Sequence, residues 1–195
     1  MRKLLMSVIV AVMAFSFSYT AQAEEAGAYD SWMYRIYISG KGQALVPFEN
    51  SLDVAGYFGG SVGYWWNEYI ATELEVGFAN VESENNAYNV DVVPLLATVR
   101  GDLPFEFGWP MHPYLYGGLG ILFNSAEGSG VDVDNSLAGI VGIGVDYEFS
   151  DNFLAFIDLR FLFSRPDVNS GAGVVGDDTL DLNSIMLGGG ITLKF

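Results

Sequence analysis

The chain contains no cysteine, and its only histidine is His112. Disulfides, thiol nucleophiles and thiolate–metal centres are therefore excluded. Basic residues are scarce as well: eight Lys and Arg stand against 24 Asp and Glu, a formal net charge of −16. A surface of that sign repels nucleic acid, and no basic stripe offers itself to phosphates. After the N-terminus there is no uninterrupted apolar stretch long enough for a membrane helix. Nor does any 3.6-residue apolar period persist, so helices are not expected. What is abundant is hydrophobicity, 51% of residues, with 24 glycines and many aromatics. Strong acidity beside high hydrophobicity is unusual for a soluble domain.

The N-terminus explains part of this. Arg2 and Lys3 precede an apolar run from Leu4 to Phe17, then Ala21-Gln22-Ala23. A basic flank, a short apolar core and a small-residue A-x-A site read as a secretory signal peptide over residues 1–23, cleaved after Ala23. Cleavage would take both basic residues and no acid, moving the formal charge from −16 to −18. With no cysteine near the cut, a lipoprotein is excluded. Residues 24–31 read as a short N-terminal segment, and 32–195 as one domain.

Period-2 alternation recurs in eight segments, at about 32–40, 54–66, 69–80, 88–102, 113–123, 136–149, 152–164 and 183–195. They are rich in Tyr, Phe, Trp, Val and Ile, as strands are. Their lengths suit tilted membrane strands. The connections alternate: Asn67-Glu68 and Ser150-Asp151 are tight, whereas 41–53, 81–87, 124–135 and 165–182 are long and polar. Short turns at one end and long links at the other describe an eight-stranded antiparallel up-and-down transmembrane β-barrel, with the short turns periplasmic. The link "LPFEFGWPMH" (103–112) is long for a periplasmic turn.

The run "NFLAFIDLRFLF" (152–163) shows how charge enters such strands. Phe153, Ala155, Ile157, Leu159, Phe161 and Phe163 share one face, whereas Asp158 and Arg160 lie on the other with Leu154, Phe156, Leu162 and Ser164. Lipid on one side and a packed polar interior on the other produce this pattern. The same phase puts Arg35, Glu73, Glu75, Arg100, Asp102, Asp146, Glu148, Asp158, Arg160 and Lys194 inside. Isolated charges in so small an enclosure are costly, so mutual pairing in a lumen charge network is expected. Eight strands enclose room for side chains or one small ligand, so a plugged interior is predicted. Trp32, Tyr64, Trp66, Tyr147, Phe149, Phe153 and Phe195 fall at predicted periplasmic ends; Phe78, Phe123, Phe161 and Phe163 fall nearer the outer ends. Two interfacial girdles follow.

Several stretches carry a family likeness: "GGSVGYWWNEYIATELEVGF" (59–78), "HPYLYGGLGILF" (112–123), "GIGVDYEFSDNFLAFIDLRF" (142–161) and the terminal "GGGITLKF" (188–195). On these the chain resembles the small outer-membrane β-barrel family of OmpA-like and OmpX-like proteins, including those described as porin-family. The resemblance implies a cell outer membrane location among lipid and lipopolysaccharide. It also implies recognition by the barrel-assembly machinery through C-terminal Phe195. A monomer is expected. Full OmpA proteins add a peptidoglycan-binding domain, and the chain ending at its last strand gives no support to that role.

Chemical motifs are sparse. His112 sits beside Pro113 in the turn at the predicted lower rim, without the exposed histidine–serine pair that a barrel lipid hydrolase needs, so no enzyme is expected. No cofactor is expected either. The outer links carry eleven acids, Glu49, Asp53, Glu82, Glu84, Glu127, Asp132, Asp134, Asp167, Asp177, Asp178 and Asp181, against Lys41 and Arg165. Glu127, Asp132, Asp134, Asp177, Asp178 and Asp181 have spacings that calcium sites sometimes show, but no full loop motif is matched. Solvated loop charge is the preferred reading. The expected role is structural, stabilising the envelope and presenting surface links. The alternative is a narrow channel or lateral route for small or apolar solutes, as in OmpW-like relatives.

Overall fold

The computed structural model describes residues 36–48, 52–67, 69–82, 89–104, 110–127, 131–166, 168–170 and 182–195. The signal-peptide and N-terminal segments, and with them Trp32 and Arg35, lie outside these residues, as does Trp109.

Among the described residues, alternating side chains and cross-strand pairing build ten strands: β1 (Ile36–Pro47), β2 (Ala55–Trp65), β3 (Ile70–Glu82), β4 (Asn89–Asp102), β5 (Met111–Glu127), β6 (Val131–Val133), β7 (Ser136–Ser150), β8 (Phe153–Ser164), β9 (Val168–Ser170) and β10 (Ser184–Lys194). Eight of them close into an antiparallel barrel in the order β1-β10-β8-β7-β5-β4-β3-β2. The remaining two, β6 and β9, pair antiparallel with each other, joining the third and fourth long links. Closure leaves no barrel edge, which is the condition for a sheet to cross hydrocarbon. Among the described residues no helix is long and apolar enough to cross a membrane, which says nothing against crossing by strands.

Several boundaries differ from the sequence reading, those of β1 and β5 most. β1 does not stop at residue 40 but runs through Gly40-Lys41-Gly42 to Pro47, pairing Gly40 with Gly60 and Gly42 with Phe58. These glycines resemble a turn in sequence, yet they are lipid-facing strand positions. The Phe58 ring lies over the surface at Gly42, within 3.6 Å of where a Cβ would stand. β5 begins at Met111, so His112 is a strand residue paired with Asp146 and not part of a turn.

The outer surface is apolar. Phe58, Leu119, Leu137, Ile157, Leu187 and Ile191 are all exposed there. In water so much contiguous apolar surface would be a liability, whereas hydrocarbon is its matching solvent. At the short-turn end Tyr64 packs edge-on to Trp66 at 5.0 Å, and Phe149 stacks with Phe153 at 5.9 Å. The Trp66 indole donates to Thr72 Oγ1 (3.0 Å), leaving its ring at the boundary with a polar handle.

Candidate functional site

The inward phase of the strands carries the chemistry. In β1 it is Tyr37, Ser39, Lys41, Gln43 and Leu45; in β3 it is Glu73 and Glu75; in β8 it is Asp158 and Arg160. At mid-height Arg160 is only 1% exposed. One guanidinium nitrogen donates to Glu75 (2.8 Å) and another to Asp158 (2.9 Å). Glu75 also accepts from Lys41 Nζ (2.7 Å) and the Tyr57 hydroxyl (2.5 Å). Asp158 accepts from the Gln43 amide and from the Tyr116 hydroxyl, the latter at 3.2 Å. Every carboxylate here thus meets a cation and at least one further donor, as a desolvated pair requires.

Below this layer, toward the short turns, Arg100 is bonded to Asp102 (2.8 Å) and to Asp146. Its guanidinium lies 3.8 Å from the Tyr114 ring centre and 5.1 Å from that of Trp65. Flat, weakly hydrated and multiply donating, Arg suits such a stacked position better than Lys. Tyr37 donates to Glu73 at 2.6 Å. At the rim, Lys194 reaches Glu148 at 3.3 Å and His112 stands 3.6 Å from the same carboxylate. The His112 side chain is 50% exposed. A cavity of 20 Å³ remains between the layers, lined among others by Ser39, Lys41, Glu73, Arg100 and Asp158. That is room for about one water.

Glycines make space for these side chains. A Cβ at Gly63 would fall 2.0 Å from the Tyr37 ring, and one at Gly77 would fall 2.1 Å from the Tyr57 hydroxyl. Gly142 and Gly144 serve Tyr116 and Tyr114 in the same way.

Above the ion layer, toward the long links, the lumen changes character. Leu45, Tyr57, Val81, Val90, Val92, Leu122, Ile140, Leu162 and Met186 form one buried cluster. The wall beside this tier has a flaw. β3 and β4 pair rung by rung up to Val76↔Leu95 and again from Ala79↔Val92, but Gly77 and Phe78 have no ladder partner in Val93 and Pro94. Proline has no N–H to contribute, so an interior strand proline removes a rung. The register is unchanged on either side.

Of the ten charges assigned to the lumen from sequence, Arg35 lies outside the described residues. Glu75, Arg100, Asp146, Asp158 and Arg160 are buried inside; Glu73, Asp102, Glu148 and Lys194 are partly exposed on the same inner face. Lys41, assigned above to the first outer link, is corrected: it lies on the inner face of β1 with its side chain 5% exposed. Gln43, buried on the same face, belongs with it. Extending the alternation from Tyr37 through residue 45 would have found Lys41 and Gln43, had the two glycines not suggested a turn. Among the weak calcium candidates, Asp177, Asp178 and Asp181 lie outside the described residues. The side chains of Glu127 and Asp132 do as well, and Asp134 is exposed. No group of three potential metal ligands occurs among the described residues.

With this geometry in view, the comparisons fall on one kind of protein. A family model described as outer membrane protein beta-barrel domain matches residues 7–192. A protein of Rickettsia conorii named as an outer membrane protein is 27% identical over 161 residues, which is 72% of this chain and 66% of the relative. An uncharacterised outer-membrane protein of Sinorhizobium fredii is 26% identical over 148 residues, 69% of this chain and 63% of the relative. The chain thus spans about two thirds of the length of these relatives. Among solved structures, the outer membrane protein OprG from Pseudomonas aeruginosa superposes with a TM-score of 0.61 at 14% identity, covering 84% of this chain and 97% of that one. Outer membrane protein W of E. coli gives 0.52 at 14% identity, covering 85% and 100%. At such identities the structural likeness speaks for the fold alone.

Proposed function

The chain belongs to the outer membrane protein beta-barrel domain family, and from that premise we propose that this outer-membrane barrel is a closed one, its lumen plugged by the charge network. Its role on this reading is to reinforce the envelope and to present the long links at the cell surface. The observation that carries the reading is Arg160, almost wholly buried at the centre of the lumen and tied to carboxylates on two strands. A hydrated ion would have to break those pairs to pass, and each broken pair leaves a charge stranded away from water. The test is planar-bilayer recording of refolded protein. The proposal expects no unitary conductance steps, and steady steps in most insertions would overturn it.

A second reading, passage of small or apolar solutes through or out of the wall, has one specific observation in its favour. The missing rungs between Gly77-Phe78 and Val93-Pro94 lie against the apolar tier and face lipid. Uptake of an apolar dye into proteoliposomes, abolished by P94V, would favour this reading over the closed one. Exposure of Phe195 at the end of the final strand supports recognition of that strand by the assembly machinery. Lipopolysaccharide contact and a monomeric state complete the proposal.

A further inference from the structure

At the outer end of the lumen, described residues of the first and last links turn inward. Leu52, from the first link, and Leu182, from the last, are each 6% exposed and belong to the same buried cluster as Leu45, Val90 and Leu122. Pro166, just beyond β8, is buried as well. Backbone hydrogen bonds set these residues in place. Asp53 N–H donates to Glu82 O (2.9 Å), Leu182 N–H to Ser164 O (3.1 Å) and Phe48 N–H to Asn183 O (2.8 Å). The Asn183 side chain accepts from Ser164 N–H at 2.9 Å, standing in for a strand partner. The first and last links are thus tied to each other and to the rim, and each delivers one leucine into the apolar tier.

We propose that the lumen carries two seals in series: a leucine stopper across the outer mouth, and beneath it the charge layers of Arg160 and Arg100. The inference rests on the closed-lumen reading and adds that neither seal depends on the other. The two work by different physics. A narrow apolar constriction excludes water, so an ion entering it loses hydration without compensation. The ion layer instead occupies its volume with paired charges whose partners lie on separate strands, namely β1, β3 and β8. Tyr57 borders both, lying in the apolar cluster with its hydroxyl on Glu75, but the link hydrogen bonds named above share no residue with those of Arg160.

The test uses the absence of native cysteine. A single L122C places a thiol in the apolar tier behind the stopper. A membrane-impermeant maleimide is applied from the outer side of proteoliposomes, with and without L52S/L182S. The stopper is expected to keep labelling at least tenfold slower than in the variant lacking it, and equal rates would overturn the proposal. Conductance is then recorded for three proteins: L52S/L182S, the ion-layer variant K41S/E75Q/R100S/D146N/D158N/R160S, and the combination of all eight changes. The series arrangement predicts silence from the first two and unitary steps from the third. Steps from either partial variant, or silence from the combination, contradict it. L52A/L182A replaces the serine pair if heat-modifiable migration shows that pair misfolded. Steps from the wild-type protein would instead defeat the closed-lumen reading itself, so the two failures are distinguishable.

Discussion

Replacing Arg160 with methionine keeps much of the side chain's length and removes its charge. Two buried ion pairs are lost at once, to Glu75 at 2.8 Å and to Asp158 at 2.9 Å. Removing one partner of a buried pair costs about 3–5 kcal/mol, because the stranded charge keeps its desolvation penalty. The lower end applies here. Glu75 retains Lys41 and Tyr57, and Asp158 retains Gln43 and Tyr116. A loss of about 3 kcal/mol corresponds to roughly a hundredfold in the folding equilibrium. The assay is urea unfolding in lipid micelles, followed by the loss of heat-modifiable migration and of tyrosine–tryptophan emission. A rescue follows: D158N, added to R160M, removes the carboxylate left without a cation while Lys41 keeps Glu75, and returns stability to within about 1 kcal/mol of wild type. A loss under about 1 kcal/mol for R160M, or no recovery in the R160M/D158N variant, would refute the view that these groups pair in a desolvated lumen.

Three further outcomes follow from the geometry. G63A forces a methyl into the Tyr37 ring and pulls its hydroxyl from Glu73, with an expected cost of about 1–3 kcal/mol, whereas G40A, where a Cβ meets nothing within 4 Å, is neutral in the same unfolding assay. Lys41 resists amine-reactive reagents in the folded barrel and reacts on unfolding, while Lys194 at the rim reacts in both states; mass mapping of modified peptides reads the difference, and equal reactivity would return Lys41 to the surface. P94V supplies the N–H that the ladder lacks, so the amide at position 94 is expected to be protected from hydrogen exchange like its strand neighbours, and fast exchange there would show that the rung is not restored.

Much of this architecture can be read from the chain, because a barrel is two-sided and its side-chain period is two. Asp158 and Arg160 amid apolar neighbours fix the inward phase of β8, and the same phase carried around the barrel reaches Glu75, Arg100 and Asp146. Reading failed where local composition imitated a turn. Gly40 and Gly42 flank Lys41, and in isolation they look like the start of a loop. In the barrel they are smooth lipid-facing positions, and Lys41 is drawn inward by Glu75. His112 was misread for a similar reason, since the prolines and glycine around it suggested a turn that β5 overrides. The apolar tier and its leucine stopper had no signal in sequence. Leu52 and Leu182 are single apolar residues in polar links, and only tertiary hydrogen bonds bring them over the same mouth. The interrupted rungs at Pro94 were legible in principle, since an interior strand proline always removes a donor.

The account depends most on which face of the strands meets lipid, and β8 tests that directly. Single cysteines from Phe153 to Ser164, spin-labelled in bilayers, report collision with oxygen dissolved in the hydrocarbon. High accessibility at 153, 155, 157, 159, 161 and 163, and low accessibility at the six intervening positions, is the predicted pattern. Uniform accessibility along the strand, or the opposite phase with positions 158 and 160 the most accessible to oxygen, would contradict it.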